Sequence, residues 1–470
     1  DGSGFGIYSQ RYSSIGEKSG AETLVNTYTL SEQYEPSVSA LKDGGYVITW
    51  QSNGKDGSDY GISSQRYSSL GEKVGSETVV NTFITGDQSS PLVSALADGG
   101  YVIAWQSYGQ DGSGFGVYSQ RYSSLGEKVG DETLVNTNTV SNQESISMSA
   151  LADGGYIITW QSIYQDGSRF GVYSQRYSSL GEKVGDETLV NTYTADNQYN
   201  SSVSALEDGG YVIVWQSEGQ DGSDYGIYSQ RYLSTGEKVG EEALVNSYTA
   251  DYQINPSVSA LKDGGYVIVW QSNYQDGSVS GIYSQRYSSL GEKVGDETLV
   301  NTYIYSYQNN PAVSALEDGG YVITWESAIQ DGGGSGIYSQ RFAADGTKFS
   351  ENYINISASA THTLSIDEDS ISDAIAIGAI DPDGDAITYS IKENFDPQKG
   401  TVIFDQVNGT YSYVPNENEN GTDSFIILVT DSHGSSAELE VNVDVKAIND
   451  IPVVITSIVD KKTKKSYFLL

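Results

Sequence analysis

The strongest constraint on the fold of this chain is a period of 55 residues that runs through residues 1–355. The segment Asp98–Trp105, with the sequence Asp-Gly-Gly-Tyr-Val-Ile-Ala-Trp, is one of six near-copies that together contain every tryptophan of the chain. A second marker, Gly-Ile/Val-Tyr-Ser-Gln-Arg-Tyr, recurs from Gly6 to Gly336 at the same spacing. Because self-similarity at a fixed period indicates a repeat architecture, we predict that one structural unit is stacked repeatedly. The other copies of the first marker are Asp43–Trp50, Asp153–Trp160, Asp208–Trp215, Asp263–Trp270 and Asp318–Trp325.

Each repeat contains four short runs that are typical of β-strands. In one unit these runs are Val203–Leu206, Tyr211–Trp215, Ile227–Tyr232 and Ala243–Asn246. The Asp-Gly-Gly segment between the first two predicts a hairpin with a tight primed turn, because Asp-Gly supplies the positive φ that such a turn requires. Alternate residues of the second run are apolar on both faces, so this strand is predicted to be buried on both sides. No segment shows helical periodicity.

Four antiparallel strands that repeat radially predict an all-β protein built as a β-propeller. A linear β-solenoid is the alternative. Complete units extend from about Pro36 to Asn355, which gives six, and residues 1–30 supply only a third and a fourth strand. A seven-bladed propeller with an incomplete first blade is the favoured arrangement, and a six-bladed ring with a loose N-terminal hairpin is the alternative.

The charge of the chain restricts its partners. With 62 acidic and 25 basic residues the net charge is −37, so nucleic acid and anionic membrane surfaces are expected to be repelled, whereas divalent cations suit clustered carboxylates. The chain has no cysteine and only two histidines, which excludes a disulfide framework and leaves little for zinc. No run approaches the roughly 20 apolar residues of a membrane span, so direct membrane insertion is not expected. The chain begins with Asp and is expected to be part of a longer multidomain chain.

Two polar positions recur in the repeats and are candidate ligand sites. A glutamine holds its place in the variable loop before each first strand, where it either bonds a loop carbonyl between blades or contacts a ligand. The aspartate of each Asp-Gly-Ser segment either shapes a turn or binds calcium. The glutamines are Gln33, Gln88, Gln143, Gln198, Gln253 and Gln308, and the aspartates are Asp56, Asp111, Asp166, Asp221, Asp276 and Asp331.

Arginine is confined almost entirely to one slot of the repeat. Seven of the eight arginines lie in the Gln-Arg pair of the second marker, and only Arg169 does not. We predict that this arginine pairs with a carboxylate of the neighbouring blade, such as Glu132 or Glu187.

The period stops after residue 355, and a second pattern occupies residues 356–452, followed by a tail at 453–470. About seven runs with alternating apolar residues predict a β-sandwich. The motifs are Asp-Glu-Asp near the start, Asp-Pro-Asp-Gly-Asp, Tyr-Ser-Tyr-Val-Pro, Gly-Thr-Asp-Ser-Phe, Thr-Asp before a turn, and a terminal Asn-Asp-Ile-Pro. This set resembles the cadherin-like tandem repeats of large bacterial surface adhesins, and the 55-residue repeats resemble arrays of giant extracellular bacterial proteins.

The resemblance implies a cadherin-like or immunoglobulin-like sandwich with interdomain calcium sites and a secreted or cell-surface location. Carboxylate and carbonyl oxygens are the ligands that calcium prefers. Residues 453–470 depart from the family pattern, because they do not continue into another copy. The ligands that the resemblance implies are Asp367, Glu368, Asp369, Asp381, Asp383, Asp385, Asp431, Asn449 and Asp450.

The predicted function is that of an extracellular adhesin segment, stabilised by calcium, whose repeated loops bind cell-surface carbohydrate or protein. Repeated Tyr, Trp, Asp and Gln suit carbohydrate, and near-identical blades would multiply weak sites by avidity. The alternative is a structural spacer or surface-layer module without a ligand. A propeller glycoside hydrolase is the third reading, but no enzyme is expected, because catalysis needs one asymmetric constellation and every repeat carries the same residues.

Overall fold

The structure is a computed structural model in which every regular element among the described residues is a β-strand, as predicted for an all-β chain. Most of residues 1–348 form one compact unit and residues 349–470 form most of the other, so the division lies shortly before the predicted boundary at 355. The described part of the chain has no helix long and apolar enough to cross a membrane. The structure describes residues 4–12, 18–57, 59–330, 332–348, 355–356, 361–380, 386–430, 436–448, 457–460 and 465–468.

The first unit contains 25 strands among its described residues. These strands are β1 (Tyr8–Tyr12), β2 (Lys18–Leu24), β3 (Gln33–Ala40), β4 (Tyr46–Asn53), β5 (Tyr60–Tyr67), β6 (Lys73–Val79), β7 (Gln88–Ala95), β8 (Tyr101–Tyr108), β9 (Phe115–Tyr122), β10 (Lys128–Leu134), β11 (Gln143–Ala150), β12 (Tyr156–Ile163), β13 (Phe170–Tyr177), β14 (Lys183–Leu189), β15 (Gln198–Ala205), β16 (Tyr211–Glu218), β17 (Tyr225–Tyr232), β18 (Lys238–Leu244), β19 (Gln253–Ala260), β20 (Tyr266–Asn273), β21 (Ser280–Tyr287), β22 (Lys293–Leu299), β23 (Gln308–Ala315), β24 (Tyr321–Ala328) and β25 (Ser335–Phe342).

These strands form propeller-like repeats, each an antiparallel sheet whose strands pair in chain order. Repeat 1 is β3-β4-β5-β6, and repeats 2 to 5 follow in the same way with four strands each. Among the described residues, repeat 6 contributes the three strands β23-β24-β25, and a half-repeat before repeat 1 contributes β1-β2. The predicted four-stranded repeat is therefore confirmed, and the number of blades stays a prediction.

The first strands of successive repeats lie side by side. The hydroxyl of Ser37 in β3 accepts the main-chain N–H of Val93 in β7 at 3.2 Å, and Ser39 accepts that of Ala95 at 3.0 Å. The same pair of bonds joins β11 to β15, β15 to β19 and β19 to β23. These serine hydroxyls thus accept hydrogen bonds from amides on the outer edge of the first strand in the following repeat. No other described strand pairs with that edge.

The second strand of each repeat is buried on both faces, as its pattern predicts. Trp105 and Ile103 pack on residues of repeat 1 such as Val47, and all three side chains are fully buried. Val102, on the opposite face, packs with Trp160 of repeat 3. Hydrophobic burial at roughly 25 cal/mol per Å² therefore acts across every interface between repeats.

The Asp-Gly-Gly hairpin differs from the predicted primed turn. Only the first glycine has a positive φ, 88° at Gly99, and the aspartate before it does not. The amide of Gly99 donates to the carbonyl of Leu96 at 3.0 Å, and the amide of Leu96 donates to Gly100 at 2.8 Å. This arrangement, a turn closed by one left-handed glycine, is typical of three-residue hairpin loops. The side chain of Asp98 stabilises it by accepting the Gly100 amide at 2.8 Å.

The first strand is longer than predicted, because it begins at the recurring glutamine. In repeat 4 the strand spans Gln198–Ala205, whereas the sequence pattern indicated Val203–Leu206. The register shifts between Tyr199 and Ser202, which marks a β-bulge, and Asn200 within it has a φ of 53°. A β-bulge interrupts the alternation of apolar residues, so this alternation could not reveal the first half of the strand.

The second unit contains eleven strands among its described residues. Four strands form one sheet in the order β27-β34-β33-β30, with β27 parallel to β34, and three form another in the order β28-β32-β31. Tyr413, Phe425 and Val441 belong to the core that joins them, as expected for a sandwich of about seven strands. The strands are β26 (Asn355–Ile356), β27 (Thr361–Asp367), β28 (Ile375–Ala376), β29 (Ala379–Ile380), β30 (Thr388–Ile391), β31 (Gly400–Asp405), β32 (Thr410–Pro415), β33 (Gly421–Thr430), β34 (Ser436–Lys446), β35 (Ser457–Asp460) and β36 (Lys465–Phe468).

Candidate functional site

The recurring glutamines are buried at the first position of each first strand. Gln143 is fully buried, and its amide donates to the carbonyl of Val140 at 3.0 Å, three residues earlier in the loop. Its Oε1 accepts from the side chain of Asn136, the last residue of the Glu-Thr-Leu-Val-Asn segment, at 3.2 Å. The geometry corresponds to the loop-carbonyl alternative, and ligand binding at these glutamines stays a prediction. The other members, Gln33, Gln88, Gln198, Gln253 and Gln308, are equally buried and donate to loop carbonyls in the same way.

The partner asparagine connects three segments, a role that the sequence did not indicate. Asn136 accepts the main-chain N–H of Val117 at 2.7 Å and donates to the carbonyl of Asn138 at 2.8 Å, in addition to its bond with Gln143. It is 1% exposed. Its recurrence at Asn26, Asn81, Asn191, Asn246 and Asn301 was the signal that could have revealed this position.

The Asp-Gly-Ser aspartates shape turns. Oδ1 of Asp111 accepts the amide of Ser113 at 3.2 Å, and Oδ2 lies 3.4 Å from the amide nitrogen of Asn136. The carboxylate also covers Gly116, where a Cβ would lie 2.7 Å from Oδ2. Asp166, Asp221 and Asp276 form the same turn, Asp56 contacts Asn81, and Asp331 lies outside the described residues. Calcium binding at these aspartates stays a prediction.

The arginine partner was predicted wrongly. Arg121 pairs at 3.1 Å with Asp98, the hairpin aspartate of its own repeat, and not with a glutamate of the neighbouring repeat. The predicted partner Glu132 instead accepts the main-chain N–H and the hydroxyl of Thr82 in the preceding repeat, at 2.8 and 3.0 Å. Strand pairing places Arg121 opposite Val102, close to the hairpin turn, which spacing along the chain does not show.

The tryptophans cannot stack on a ligand, because their side chains are buried in the interfaces between repeats. Five of them are fully buried, and Trp325 is 6% exposed. Several aromatic side chains that do reach the surface, such as Tyr108, Tyr164 and Tyr274, lie at the loop end of the sheets, where the second strand ends and the third begins.

Two aromatic trios occupy this loop end. The first aromatic trio consists of Phe5, Tyr34 and Tyr60, with ring centroids 5.5 and 6.3 Å apart in that order. The second aromatic trio consists of Phe170, Tyr199 and Tyr225, with centroids 6.0 and 5.6 Å apart. Each member of the second follows its counterpart by three periods of 55 residues. The same surface is therefore built twice.

The residue at the middle position explains why two aromatic trios, and no more, form among the described residues. At this position the other complete repeats have Ser89, Glu144, Ile254 and Asn309. A comparison of the repeats at this single position could have found the trios, because an aromatic residue recurs there only in repeats 1 and 4. Phe5 is 65% exposed, and Tyr34, Tyr60, Phe170, Tyr199 and Tyr225 are half-buried.

A ladder of side-chain amides begins directly after the second trio. Asn200, the residue after Tyr199, donates to Asn255 at 3.2 Å, and Asn255 donates to Asn310 at 3.3 Å. These asparagines line a hollow of about 330 Å³ together with Pro256. Because an amide both donates and accepts hydrogen bonds, the ladder can bind hydroxyl-rich molecules.

Each trio has one carboxylate beside a tyrosine hydroxyl. The hydroxyl of Tyr34 donates to Glu32, and this bond raises the pKa of Tyr34 to about 12. In the second trio, burial raises the pKa of Tyr225, and the neighbouring Tyr199 and Glu218 raise it further. Both tyrosines are therefore neutral at physiological pH.

The three described members of the predicted calcium set are consecutive residues at the end of β27 and directly after it. Glu368 is 5% exposed and accepts the main-chain N–H of Ile448 at 2.7 Å, while Asn420 lies 3.4 Å from its other oxygen. Asp367 ends β27, and Asp369 has a φ of 62°. The structure thus brings the start of the domain beside Ile448, the residue before Asn449. The described residues contain no group of three or more acidic or histidine side chains that could hold a metal.

Six of the predicted metal ligands fall outside the described part of the chain. They remain predictions from the family resemblance. These residues are Asp381, Asp383, Asp385, Asp431, Asn449 and Asp450.

Comparison with solved structures shows similarity at low sequence identity. A protein of unknown function from Dyadobacter fermentans is 13% identical, with 66% of this chain and 93% of that chain covered and a TM-score of 0.41. An endo-arabinase from Bacteroides thetaiotaomicron is 14% identical, with coverages of 64% and 92% and a TM-score of 0.32. The endo-1,5-α-L-arabinanase of Thermotoga petrophila is 12% identical, with coverages of 65% and 91% and a TM-score of 0.30. Similarities this low carry no conclusion about function.

Comparison with sequences gives a match in the second unit. A search of curated proteins found no match. Residues 356–447 match the family model of the bacterial cadherin-like domain. The match covers the segment in which the acidic motifs and the Tyr-Ser-Tyr-Val-Pro strand were noted, and in which two sheets enclose one core. Residues 356–447 are therefore similar to the bacterial cadherin-like domain.

Proposed function

We propose that this chain is an extracellular adhesin segment whose propeller-like repeats bind carbohydrate at the two aromatic trios. The duplication of the trio carries this proposal. Sugar rings present apolar C–H faces that pack on aromatic rings, and their hydroxyls bond to carboxylates and amides such as Glu32, Glu218 and Asn200. A half-buried aromatic platform with a few convergent polar groups is the composition of many small-molecule sites.

The second trio is the more elaborate of the two sites. Tyr252 extends it, with its ring 5.6 Å from that of Tyr225, and Tyr252 is 39% exposed. The amide ladder from Asn200 to Asn310 continues across repeats 5 and 6. An extended polysaccharide fits this arrangement better than a single sugar, because the row of rings and amides spans repeats 3 to 6.

The test is a glycan array probed with the full chain at millimolar calcium, followed by titration of the ligand that binds. Tyr34→Ala and Tyr199→Ala are each expected to weaken binding by about tenfold, because each removes the middle ring of one trio. The double variant is expected to abolish multivalent binding, because both sites contribute to avidity. Tyr108→Ala is the matched control, since Tyr108 is 52% exposed at the same end but belongs to neither trio.

A structural spacer without a ligand is the second candidate. It is favoured by the recurring residues themselves, because the glutamines, asparagines and tryptophans all serve contacts within or between repeats. Absence of glycan binding, or binding that the double variant leaves unchanged, would support the spacer and contradict the carbohydrate proposal. We propose no enzymatic activity, because the recurring Asp98-type and Glu132-type carboxylates are used in contacts of the scaffold.

Calcium in the cadherin-like domain is part of the proposal. The donor set fits, because it consists only of oxygens and because the carboxylate of Glu368 is held beside the residue that precedes Asn449. Asp367, Glu368 and Asp369 would supply charge from the start of the domain, and Asn449 and Asp450 from its end. Bound calcium would neutralise this acidic edge and stiffen the domain.

A further inference from the structure

One position in the loop between the second and third strands has a left-handed backbone in all six repeats. Its main-chain N–H donates to the carbonyl five residues later, as from Tyr164 to Arg169 at 2.6 Å and from Gly219 to Asp224 at 2.8 Å. The loop therefore requires a positive φ, which glycine adopts without steric cost. The six residues, with φ in chain order of 75°, 75°, 64°, 72°, 60° and 58°, are Gly54, Gly109, Tyr164, Gly219, Tyr274 and Ile329.

Three repeats carry a bulky residue at this position, where it strains the backbone. A residue other than glycine is disfavoured in the left-handed region, because its Cβ approaches the following carbonyl oxygen. Packing does not offset the strain, since Tyr164 is 68% exposed and Tyr274 and Ile329 are each 56% exposed. At Gly219 a Cβ would meet no described atom beyond its chain neighbours closer than 3.9 Å. A strained side chain that packing does not stabilise indicates a contact outside the fold.

Tyr164 lies beside one end of the second aromatic trio. It directly follows Ile163, the residue of β12 that pairs with Phe170 of β13. Phe170 is the first ring of the trio, with its centroid 6.0 Å from that of Tyr199. The strained tyrosine of repeat 3 is therefore on the same hairpin as the ring that begins the trio.

Tyr274 lies beside the other end of the same row of rings. Tyr252 continues the trio, with its ring centroid 5.6 Å from that of Tyr225. The carbonyl of Tyr252 accepts the main-chain N–H of Asn273, the residue before Tyr274, at 2.9 Å. The two strained tyrosines thus occur in the repeats on either side of repeat 4, which supplies the middle of the row.

We propose that Tyr164 and Tyr274 are outer subsites of the second trio, and that its ligand is a linear polysaccharide bound along repeats 3 to 5. This inference rests on the carbohydrate binding proposed above and adds the class of carbohydrate. Exposed tyrosine rings offer large, rigid faces on which apolar faces of sugar rings pack. A linear chain can contact the trio and both outer rings at once, whereas a short sugar reaches only part of the row.

The first trio is a natural comparison within the chain. It lies between repeat 1 and the half-repeat before it, and repeat 1 has Gly54 at the strained position. The next repeat has Gly109 there. The first trio therefore has no outer tyrosine of this type in repeats 1 and 2, and a preference for long chains is expected at the second trio.

Binding is measured with neutral linear oligosaccharides of glucose, xylose or galactose, each supplied as the disaccharide and as a long fraction. Neutral sugars are used because the net charge of −37 disfavours acidic ones. The full chain carries Tyr34→Ala, so that the second trio is the site measured, and should bind the long fraction more tightly. Tyr164→Gly and Tyr274→Gly should each weaken binding of the long fraction by roughly three- to tenfold, the range of one aromatic contact, and leave the disaccharide unaffected.

The same substitutions should raise the Tm, because glycine relieves the left-handed strain. Tyr164→Phe keeps the ring and should bind like the parent chain. Leu180→Gly is the matched control, since Leu180 is 75% exposed in repeat 3, lies at the other end of the sheet and has no positive φ. It should lower the Tm and leave both affinities unchanged.

The outcomes separate the outer subsites from carbohydrate binding itself. If the disaccharide and the long fraction bind equally and Tyr199→Ala weakens both, carbohydrate binding stands and the outer subsites are refuted. If no member of the panel binds, the outer subsites are also refuted, and the glycan array decides whether carbohydrate binding fails with them. A Tm lowered by Tyr164→Gly and by Tyr274→Gly would overturn the proposal too, because the fold would then depend on these rings.

Discussion

At the scale of single residues, the recurring polar side chains of the repeats serve the scaffold. Asn136 is buried and makes three hydrogen bonds that join a strand, a loop and the glutamine of the next repeat. Its frequency in the sequence indicated importance but not its role, since hydrogen bonds across 19 residues are invisible in a linear pattern. The aromatic trios differ from these recurring residues, because the middle tyrosine of each trio occupies a position that varies among the other repeats.

Asn136→Ala should destabilise the chain by about 2–4 kcal/mol. The substitution removes the hydrogen-bond partner of the buried Val117 amide and of the Gln143 side chain. Each buried polar group that loses its partner costs roughly 1–3 kcal/mol of stability. Chemical denaturation followed by tryptophan fluorescence measures the change. Asn138→Ala, which removes only a bond to the exposed Val140, is the control and should cost less than about 1 kcal/mol. Equal effects of the two variants would contradict the assigned role.

Equivalent isoleucines of two repeats differ in burial and allow a direct comparison of stability. Ile282 of repeat 5 is fully buried against repeat 6, whereas Ile337 of repeat 6 is 80% exposed. Ile282→Asp should destabilise the chain by more than about 3 kcal/mol, because it buries an unpaired charge. Ile337→Asp should change the stability by less than about 0.5 kcal/mol. A large loss with Ile337→Asp, seen as an earlier denaturation midpoint, would mean that this face is covered in solution.

At the scale of elements, the hairpin turn and the edge of the cadherin-like domain are the informative parts. The Asp-Gly-Gly turn was located correctly from the sequence because turn residues act locally, but its type was not predicted. The close approach of Gly100 to the carbonyl of Tyr122 decides which glycine is indispensable, and this contact crosses 22 residues.

Gly100→Ala should destabilise the chain by about 1–3 kcal/mol. A Cβ at this position would lie 2.3 Å from the main-chain oxygen of Tyr122, and a backbone atom cannot move aside without disturbing the β8–β9 pairing. Gly333→Ala is the control, because a Cβ there meets no atom within 4 Å. Thermal denaturation monitored by circular dichroism gives the comparison, and a Gly100→Ala variant as stable as Gly333→Ala would refute the close contact.

Glu368→Gln should weaken calcium binding to the full chain by at least about tenfold while the fold is retained. The substitution removes a negative charge, which calcium requires, but keeps an oxygen that can accept the amide of Ile448. Calorimetric titration with calcium measures the affinity, and the Tm with calcium or with chelator measures the linked stability. Glu440→Gln, an exposed position on β34, is the control. Identical calcium isotherms for both variants would remove Glu368 from the site.

At the scale of the whole molecule, burial of tyrosine across every repeat interface links stability to alkaline pH. Burial raises the pKa of Tyr101 and its counterparts to about 12, above the value near 10 of an unfolded chain. A raised folded pKa means that the folded state holds its proton while the unfolded state loses it, so the stabilisation is present below about pH 10 and is lost as the pH rises toward 12. The counterparts with the same value are Tyr156, Tyr211, Tyr266 and Tyr321.

The chain should therefore unfold cooperatively between about pH 10 and 12, with delayed tyrosine ionisation. Burial lowers the pKa of lysines such as Lys128 below the usual 10.5, so their contribution raises stability as the pH increases toward about 10.5. Above that pH the lysines contribute no further change, and the tyrosines dominate. Phenolate absorbance and circular dichroism measured on the same samples test the linkage. Tyrosine ionisation near pH 10 without loss of the circular dichroism signal would contradict it.

The sequence by itself determined the period, the four strands of each repeat, the two apolar faces of the second strand and the cadherin-like character of residues 356–447. These features follow from local alternation, turn residues and motifs, which act over a few neighbouring positions. Only the tertiary structure decided that the glutamines and tryptophans are buried, that Arg121 pairs with Asp98 and that two aromatic trios form. Each of these depends on partners on another strand or another repeat, and strand pairing and the stacking of repeats choose those partners.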